Sequence, residues 1–191
     1  VPVLIYLHGF KSSPDALKAQ EVAQYIADKN LSIDYLRPLI SDMPDKAIQQ
    51  LDNLMQSLQN RTVYLMGSSM GGYYATWLAE KYSVSAVLIN PAIHPDKLWQ
   101  EYIGLHQNPY SGVQFEISAA HLQDLQSIKL PCILHPQQYL VLLQMGDEVL
   151  NALDASQWFY RSSCIIESGG NHRFQDFHRY LPHIMQWLKL E

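Results

Sequence analysis

Thr62-Val63-Tyr64-Leu65-Met66-Gly67-Ser68-Ser69-Met70-Gly71 is a strand-like apolar run closed by a G-x-S-x-G pentapeptide. The residues that follow, Gly72-Tyr73-Tyr74-Ala75-Thr76-Trp77-Leu78-Ala79-Glu80, read as a helix. Strand, pinched turn and helix form the context that a nucleophile elbow requires. In such a turn the central residue is strained, and only small residues two positions away on either side let strand and helix approach. Gly67 and Gly71 stand at those positions, so the Ser69 hydroxyl is expected to project above the sheet. Ser69 is therefore the candidate nucleophile.

Upstream and downstream of this turn, strand-like and helix-like segments alternate, which predicts a mostly parallel sheet with helices on both faces. Val3 to Leu7 is almost wholly apolar, as a strand buried on both faces should be. Ser13-Pro14-Asp15 reads as a helix cap with proline at the first helical position, and Ala19, Val22, Ala23 and Ile26 follow at helical spacing. Ile33 to Leu36 reads as a short strand. Ile48, Leu51, Leu54, Met55 and Leu58 mark one face of a helix from about Pro44 to Gln59. Ala86 to Ile89, Leu140 to Met145 and Ser163 to Ile166 are the later strands, and a closing helix carries Phe177, Leu181, Ile184 and Leu188, with Pro182 kinking it or marking its start. Between Asn90 and Leu130 the alternation breaks down into aromatic and polar residues with turn signals at Asn108-Pro109 and Ser111-Gly112. This stretch, about residues 91–130, reads as a cap of short helices over the carboxyl ends of the strands, or as a packed excursion that touches no substrate.

The chain has 191 residues, enough for one sizeable core, so a single domain over residues 1–191 is expected. A net charge of -5 and an isoelectric point near 5.9 leave no basic footprint for nucleic acid. The longest apolar run, Tyr139 to Met145, is far short of the roughly 20 residues that span a bilayer. Cys132 and Cys164 lie in apolar runs and read as buried free thiols. The chain enters its first strand with no basic segment or cleavage site before it, from which a cytoplasmic location is expected.

A serine hydroxyl barely ionises at neutral pH and needs a base within hydrogen-bond reach, itself oriented by an acid. On this topology the chain order is serine, acid, histidine, with the acid after a late strand and the histidine after the last one. Asp147 in Gly146-Asp147-Glu148-Val149 and His172 in Glu167-Ser168-Gly169-Gly170-Asn171-His172 fill those places. Asp154 and Glu148 are rival acids, but both fall where a helix should have begun. His178 sits on the final helix, and His94, His106, His121, His135 and His183 lack a strand-end position, so these six are read as structural. No H-E-x-x-H or paired Cys/His spacing suggests a zinc site. The oxyanion of an acyl-transfer intermediate needs two preplaced donors. The backbone N–H of Met70 is one; the other belongs to the loop His8-Gly9-Phe10-Lys11-Ser12-Ser13, with Phe10 chosen over Lys11. His8 reads as a brace for that loop.

Leu7-His8-Gly9-Phe10 with Ser12-Ser13-Pro14, Gly67-Ser68-Ser69-Met70-Gly71-Gly72, Asn90-Pro91-Ala92, Gly146-Asp147-Glu148-Val149 and Gly169-Gly170-Asn171-His172-Arg173-Phe174 together resemble the YqiA-type esterases. These are small bacterial members of the α/β-hydrolase superfamily, and the likeness spans essentially the whole chain. It implies a compact α/β-hydrolase fold with about six strands and a serine hydrolase acting on carboxylic ester or thioester bonds, often of short acyl groups, without a cofactor. Ser69, Asp147 and His172 fall on the family's triad positions. The stretch Leu134-His135-Pro136-Gln137-Gln138-Tyr139-Leu140 departs from a plain strand and leaves the start of the acid-bearing strand open. The expected partner is a small-molecule acyl ester or thioester, with no nucleic acid, membrane or metal. Two other readings use the same fold: a non-catalytic small-ligand binder, and a lyase or perhydrolase on the same three residues.

Overall fold

The computed structural model describes residues 1–191, the side chains of residues 96–98 excepted. Six strands form one wholly parallel sheet: β1 (Val3–Leu7), β2 (Asp34–Leu36), β3 (Val63–Ser68), β4 (Ser85–Ile89), β7 (Tyr139–Gln144) and β8 (Ser163–Glu167), in the spatial order β2-β1-β3-β4-β7-β8. Between β4 and β7, β5 (Gly104–Gln107) and β6 (Gln114–Ile117) make a separate antiparallel hairpin. Among the described residues, no helix is long and apolar enough to cross a membrane.

Period-2 alternation explains how the sheet holds two cores. Val3, Ile5 and Leu7 of β1, Leu65 of β3, Leu88 of β4 and Val141 and Leu143 of β7 point to one face. They pack there against α2 (Pro44–Ser57), α3 (Met70–Tyr82), α5 (Ala119–Ser127) and α6 (Ala152–Trp158). Leu4, Tyr6, Met66, Val87, Ile89, Leu140 and Leu142 point to the other face, covered by α1 (Leu17–Asp28) and α7 (Leu181–Trp187). Because every strand runs the same way, the segments after β1, β3, β4, β7 and β8 emerge at one edge of the sheet, where open α/β sheets bind ligands.

Four sequence expectations need correction. Ser13 does not cap α1, which starts at Leu17 behind Ala16; instead the Ser13 hydroxyl accepts from the Asp15 N–H at 3.1 Å and closes a local turn. The stretch 91–130 is not made of helices alone: α4 (Pro95–Gln100) and α5 flank the β5–β6 hairpin. Asn108 and Gly112 shape its turn, the Gly112 N–H donating to the Asn108 carbonyl at 2.8 Å. Cys132 is exposed, and Cys164 is half-buried against the core, so neither is a fully buried thiol. Glu148 lies in the loop before α6 and not in a helix.

The irregular stretch before β7 also finds its reason. Pro136–Gln138 forms a short 3-10 turn, pinned because the Glu80 carboxylate of α3 takes the His135 backbone N–H, the His135 ring and the Tyr139 hydroxyl. Pro182 lies in the first turn of α7, where its missing N–H costs nothing.

At the crossing of β1, β3 and α3 there is no room for a side chain. A Cβ on Gly71 would lie 2.0 Å from the Leu7 carbonyl oxygen, and one on Gly67 would lie 2.4 Å from that of Gly71. At Gly9 the same addition would meet Ser69 Cβ at 3.4 Å, an ordinary contact. Gly71→Ala is therefore expected to destabilise by about 3 kcal/mol or more, because backbone must move. Gly9→Ala should unfold near the parent temperature, and thermal denaturation of the two variants checks the contrast.

Candidate active site

Ser69 joins β3 to α3 at φ 56° and ψ -121°, a positive-φ conformation that costs a non-glycine residue about 1–3 kcal/mol. Its own backbone explains why it stays there. The Ser69 N–H donates to the Ile89 carbonyl at 3.2 Å, and its carbonyl accepts from Gly72 at 2.9 Å, Tyr73 at 3.3 Å and Ala92 at 3.0 Å.

The chain brings two distant side chains to this hydroxyl. His172 Nε2 lies 3.0 Å from Ser69 Oγ, and His172 Nδ1 lies 3.0 and 2.9 Å from the two carboxylate oxygens of Asp147. The Asp147 side chain is only 2% exposed, so its charge needs partners. It has them: Val149 and Leu150 donate backbone N–H groups to Oδ1 at 2.9 and 2.8 Å, besides the imidazole. An ionised carboxylate only accepts, so Nδ1 carries the proton and the Nε2 lone pair faces the serine. The rival acids have other places. Glu148 takes the backbone N–H of His172 at 2.9 Å, which holds its carboxyl below the usual range, and Asp154 lies exposed in the first turn of α6.

Two buried amides hold the imidazole's loop, and sequence reasoning did not assign them a role. Asn90, at the end of β4, donates Nδ2 to the carbonyls of Asn171 at 3.0 Å and His172 at 3.2 Å, while its Oδ1 accepts the Gln144 N–H. Gln144, the last residue of β7, accepts the N–H groups of Asn171 and Gln175 on Oε1. Its Nε2 donates to Glu167 and to the Gln175 carbonyl. Asn90 at φ 41° stands where Asn tolerates the left-handed region; an asparagine between a buried strand and a proline was the available signal.

The loop after β1 reaches the other side of Ser69. Phe10 and Met70 border one small cavity together with Gly9, and neither backbone N–H has a hydrogen-bond partner among the described residues. His8 braces the loop from within. Its Nδ1 bonds the Gly9 carbonyl and its Nε2 accepts the Ile40 N–H at 3.0 Å, an arrangement open only to the neutral ring. Burial pushes its pKa below the ordinary 6.5, against smaller opposing effects of the Gly9 carbonyl and Asp42. The remaining histidines lie elsewhere: His106 in β5, His121 in the capping box of α5, His135 on Glu80, His94 beside Trp158, and His178 near Glu21. His183 lies in α7. Among the described residues no three His, Cys, Asp or Glu side chains are grouped to hold a metal ion.

An uncharacterised protein family, UPF0227, matches residues 3–189. The chain belongs to this family, and its fold is that of the α/β hydrolases. Solved structures share the fold at low identity. Mouse α/β hydrolase domain-containing protein 10 superposes with a TM-score of 0.76 at 17% identity, covering 99% of this chain and 90% of its own. Est1E of Butyrivibrio proteoclasticus, solved with ferulic acid bound, gives 0.70 at 11%, covering 100% and 90%. An esterase of Pyrococcus furiosus gives 0.68 at 17%, covering 98% and 81%. A 124-residue stretch is 27% identical to the glutamine-hydrolysing asparagine synthetase of Mus musculus. That match takes in 65% of this chain but spans only about a fifth (21%) of the synthetase.

Two outcomes follow from the buried groups. Asn90→Asp keeps the shape but turns an acceptor toward two carbonyls, and is expected to cost about 1–3 kcal/mol. Denaturant unfolding and faster amide exchange over residues 168–175 check it. His8 has a lowered folded-state pKa, so below pH 6.5 the unfolded chain binds more protons and stability falls with acidification. Unfolding midpoints at pH 7.5 and 5.5 should differ less in His8→Gln than in the parent.

Proposed function

We propose that this protein is a serine hydrolase that cleaves small or short-chain acyl esters or thioesters through Ser69, His172 and Asp147. The observation that carries the reading is the unbroken hydrogen-bonded line from Ser69 Oγ through both ring nitrogens of His172 to a buried carboxylate. In this reading His172 Nε2 takes the Ser69 proton as Oγ attacks the acyl carbonyl. Asp147 keeps the ring in the Nδ1–H tautomer and stabilises the imidazolium that forms. The unpartnered N–H groups of Phe10 and Met70 receive the developing oxyanion, helped by the positive end of α3. His172 then returns the proton to the leaving alkoxide or thiolate, activates water against the acyl-enzyme and restores Ser69.

Substrate size is read from a cavity that borders the residues supporting these groups. Pro91, Ile93, Val149 and Leu150 line an open cavity of about 230 Å³, with Glu101 and Asp154 also on its wall. Pro91 adjoins the residue that bonds the Ser69 carbonyl, and Val149 and Leu150 hold Asp147. The cavity is smaller than the roughly 300–1,000 Å³ of drug-sized sites, which favours a short acyl group. Esterases among the structures of the same fold support the same reaction class.

A fluorophosphonate probe should label Ser69 in the parent and leave Ser69→Ala unlabelled. That variant and Asp147→Asn should each lose about 10⁴-fold in turnover of a short chromogenic acyl ester without unfolding. An unlabelled parent would favour a ligand binder on this fold.

A further inference from the structure

The segment between β4 and β7 is tied to the loop after β1 by one polar pair, of which Asn108 is buried and Asp42 half-buried, and by one aromatic cluster. Asn108, at the hairpin turn, is 4% exposed and uses its whole amide. Its Oδ1 accepts the N–H groups of Tyr110 and Ser111 at 2.9 and 3.2 Å, which fixes which end is the amine. The Nδ2 donates to Asp42 Oδ2 at 2.8 Å and, at 3.4 Å, to the Ser12 carbonyl. The other oxygen of Asp42 accepts the Lys11 backbone N–H at 3.0 Å. Lys11 is the residue directly after Phe10 and stands at φ 55°, so this bond holds a turn that a lysine does not favour. On the far side of Phe10, His8 is held by the Ile40 N–H. The Phe10 ring packs between Trp99 at 4.6 Å and Phe115 at 5.7 Å, centroid to centroid, with Tyr102 and His106 at its edges. Asp42 comes from the loop between β2 and α2 and Asn108 from the hairpin, and their shared partner is the 8–13 loop.

We propose that the Asp42–Asn108 pair is a positioning latch for the oxyanion site, so that the 91–130 segment aims the Phe10 N–H. This rests on the serine hydrolase reading above. Neither residue touches the reacting atoms; Asp42 acts through the Lys11 N–H, and Asn108 through Asp42 and the Ser12 carbonyl. The segment is then a fixed brace of the reaction centre, not a lid that swings clear of it.

The pair has a direction, and exchanging its members tests it. In Asp42→Asn the new amine faces either the Asn108 amine or the Lys11 N–H, donor against donor in both cases. In Asn108→Asp two carboxylates face each other. The double variant Asp42→Asn with Asn108→Asp restores one donor and one acceptor in reversed order, keeping acceptors for Lys11, Tyr110 and Ser111. It gives up only the long 3.4 Å bond to the Ser12 carbonyl. Each single variant is expected to lower kcat on a short acyl ester about tenfold or more while KM changes little, because the oxyanion donor acts on the transition state. Amide exchange over residues 9–12 and 108–113 should rise together. The double variant should regain most of both. Single variants that lose thermal stability but keep the parent kcat would overturn the latch, as would a double variant no better than either single one. A parent that hydrolyses nothing and is not labelled at Ser69 sinks the hydrolase reading and the catalytic half of this proposal. The exchange pattern still judges the mechanical half.

Discussion

A helix that crosses the end of a strand with its backbone in contact is the constraint from which the rest of this structure follows. Gly71 of α3 meets the Leu7 carbonyl so closely that no Cβ fits between them. The chain can make that approach only by turning sharply at Ser69, in a conformation that costs about 1–3 kcal/mol. Four backbone hydrogen bonds, to Ile89, Gly72, Tyr73 and Ala92, offset the strain. The same crossing sets the N-terminus of α3 beside the loop after β1, where Gly9 lies against Ser69 and Phe10 and Met70 border one small cavity.

Around that point the fold uses buried amides where it could have used apolar packing. Asn90 and Gln144 are each about 2% exposed, yet every polar atom of both side chains has a partner. A buried amide with partners on both ends is directional, whereas apolar contacts allow sliding. That directionality suits the loop carrying His172, because a shift of about 1 Å breaks a hydrogen bond at 3.0 Å. Asn90 links the strand next to Ser69, the strand leading to Asp147 and the loop of His172 in a single side chain. The two glycines of that loop, Gly169 and Gly170, stand at φ 76° and 74° and let it turn back over the sheet.

The sheet and its helices were legible because their signals are local. Val3 to Leu7 and Leu140 to Leu143 are apolar throughout, as strands buried on both faces should be. That Ser69, Asp147 and His172 come together could be expected from sequence, because each follows a strand and chain order limits which strand ends can meet. The failures have separate local causes. Ser13 is a good cap by type, but its hydroxyl took the nearer Asp15 N–H instead. The hairpin in 104–117 was hidden because its strands are only four residues each, too short for an alternation to stand out.

By itself the order of residues determined the parallel α/β sheet, the strand ends that carry Ser69, Asp147 and His172, and the glycines at the crossing. Those follow from periodicity and local backbone sterics, which act between near neighbours in the chain. Only the tertiary structure decided that His172 stands 3.0 Å from Ser69. It alone decided that Asn90 and Gln144 hold the histidine's loop, and that Asp42 meets Asn108, 66 residues away along the chain. An asparagine or aspartate carries no mark of its partner in sequence, because a hydrogen bond across the fold depends on where two backbones arrive and not on what precedes them.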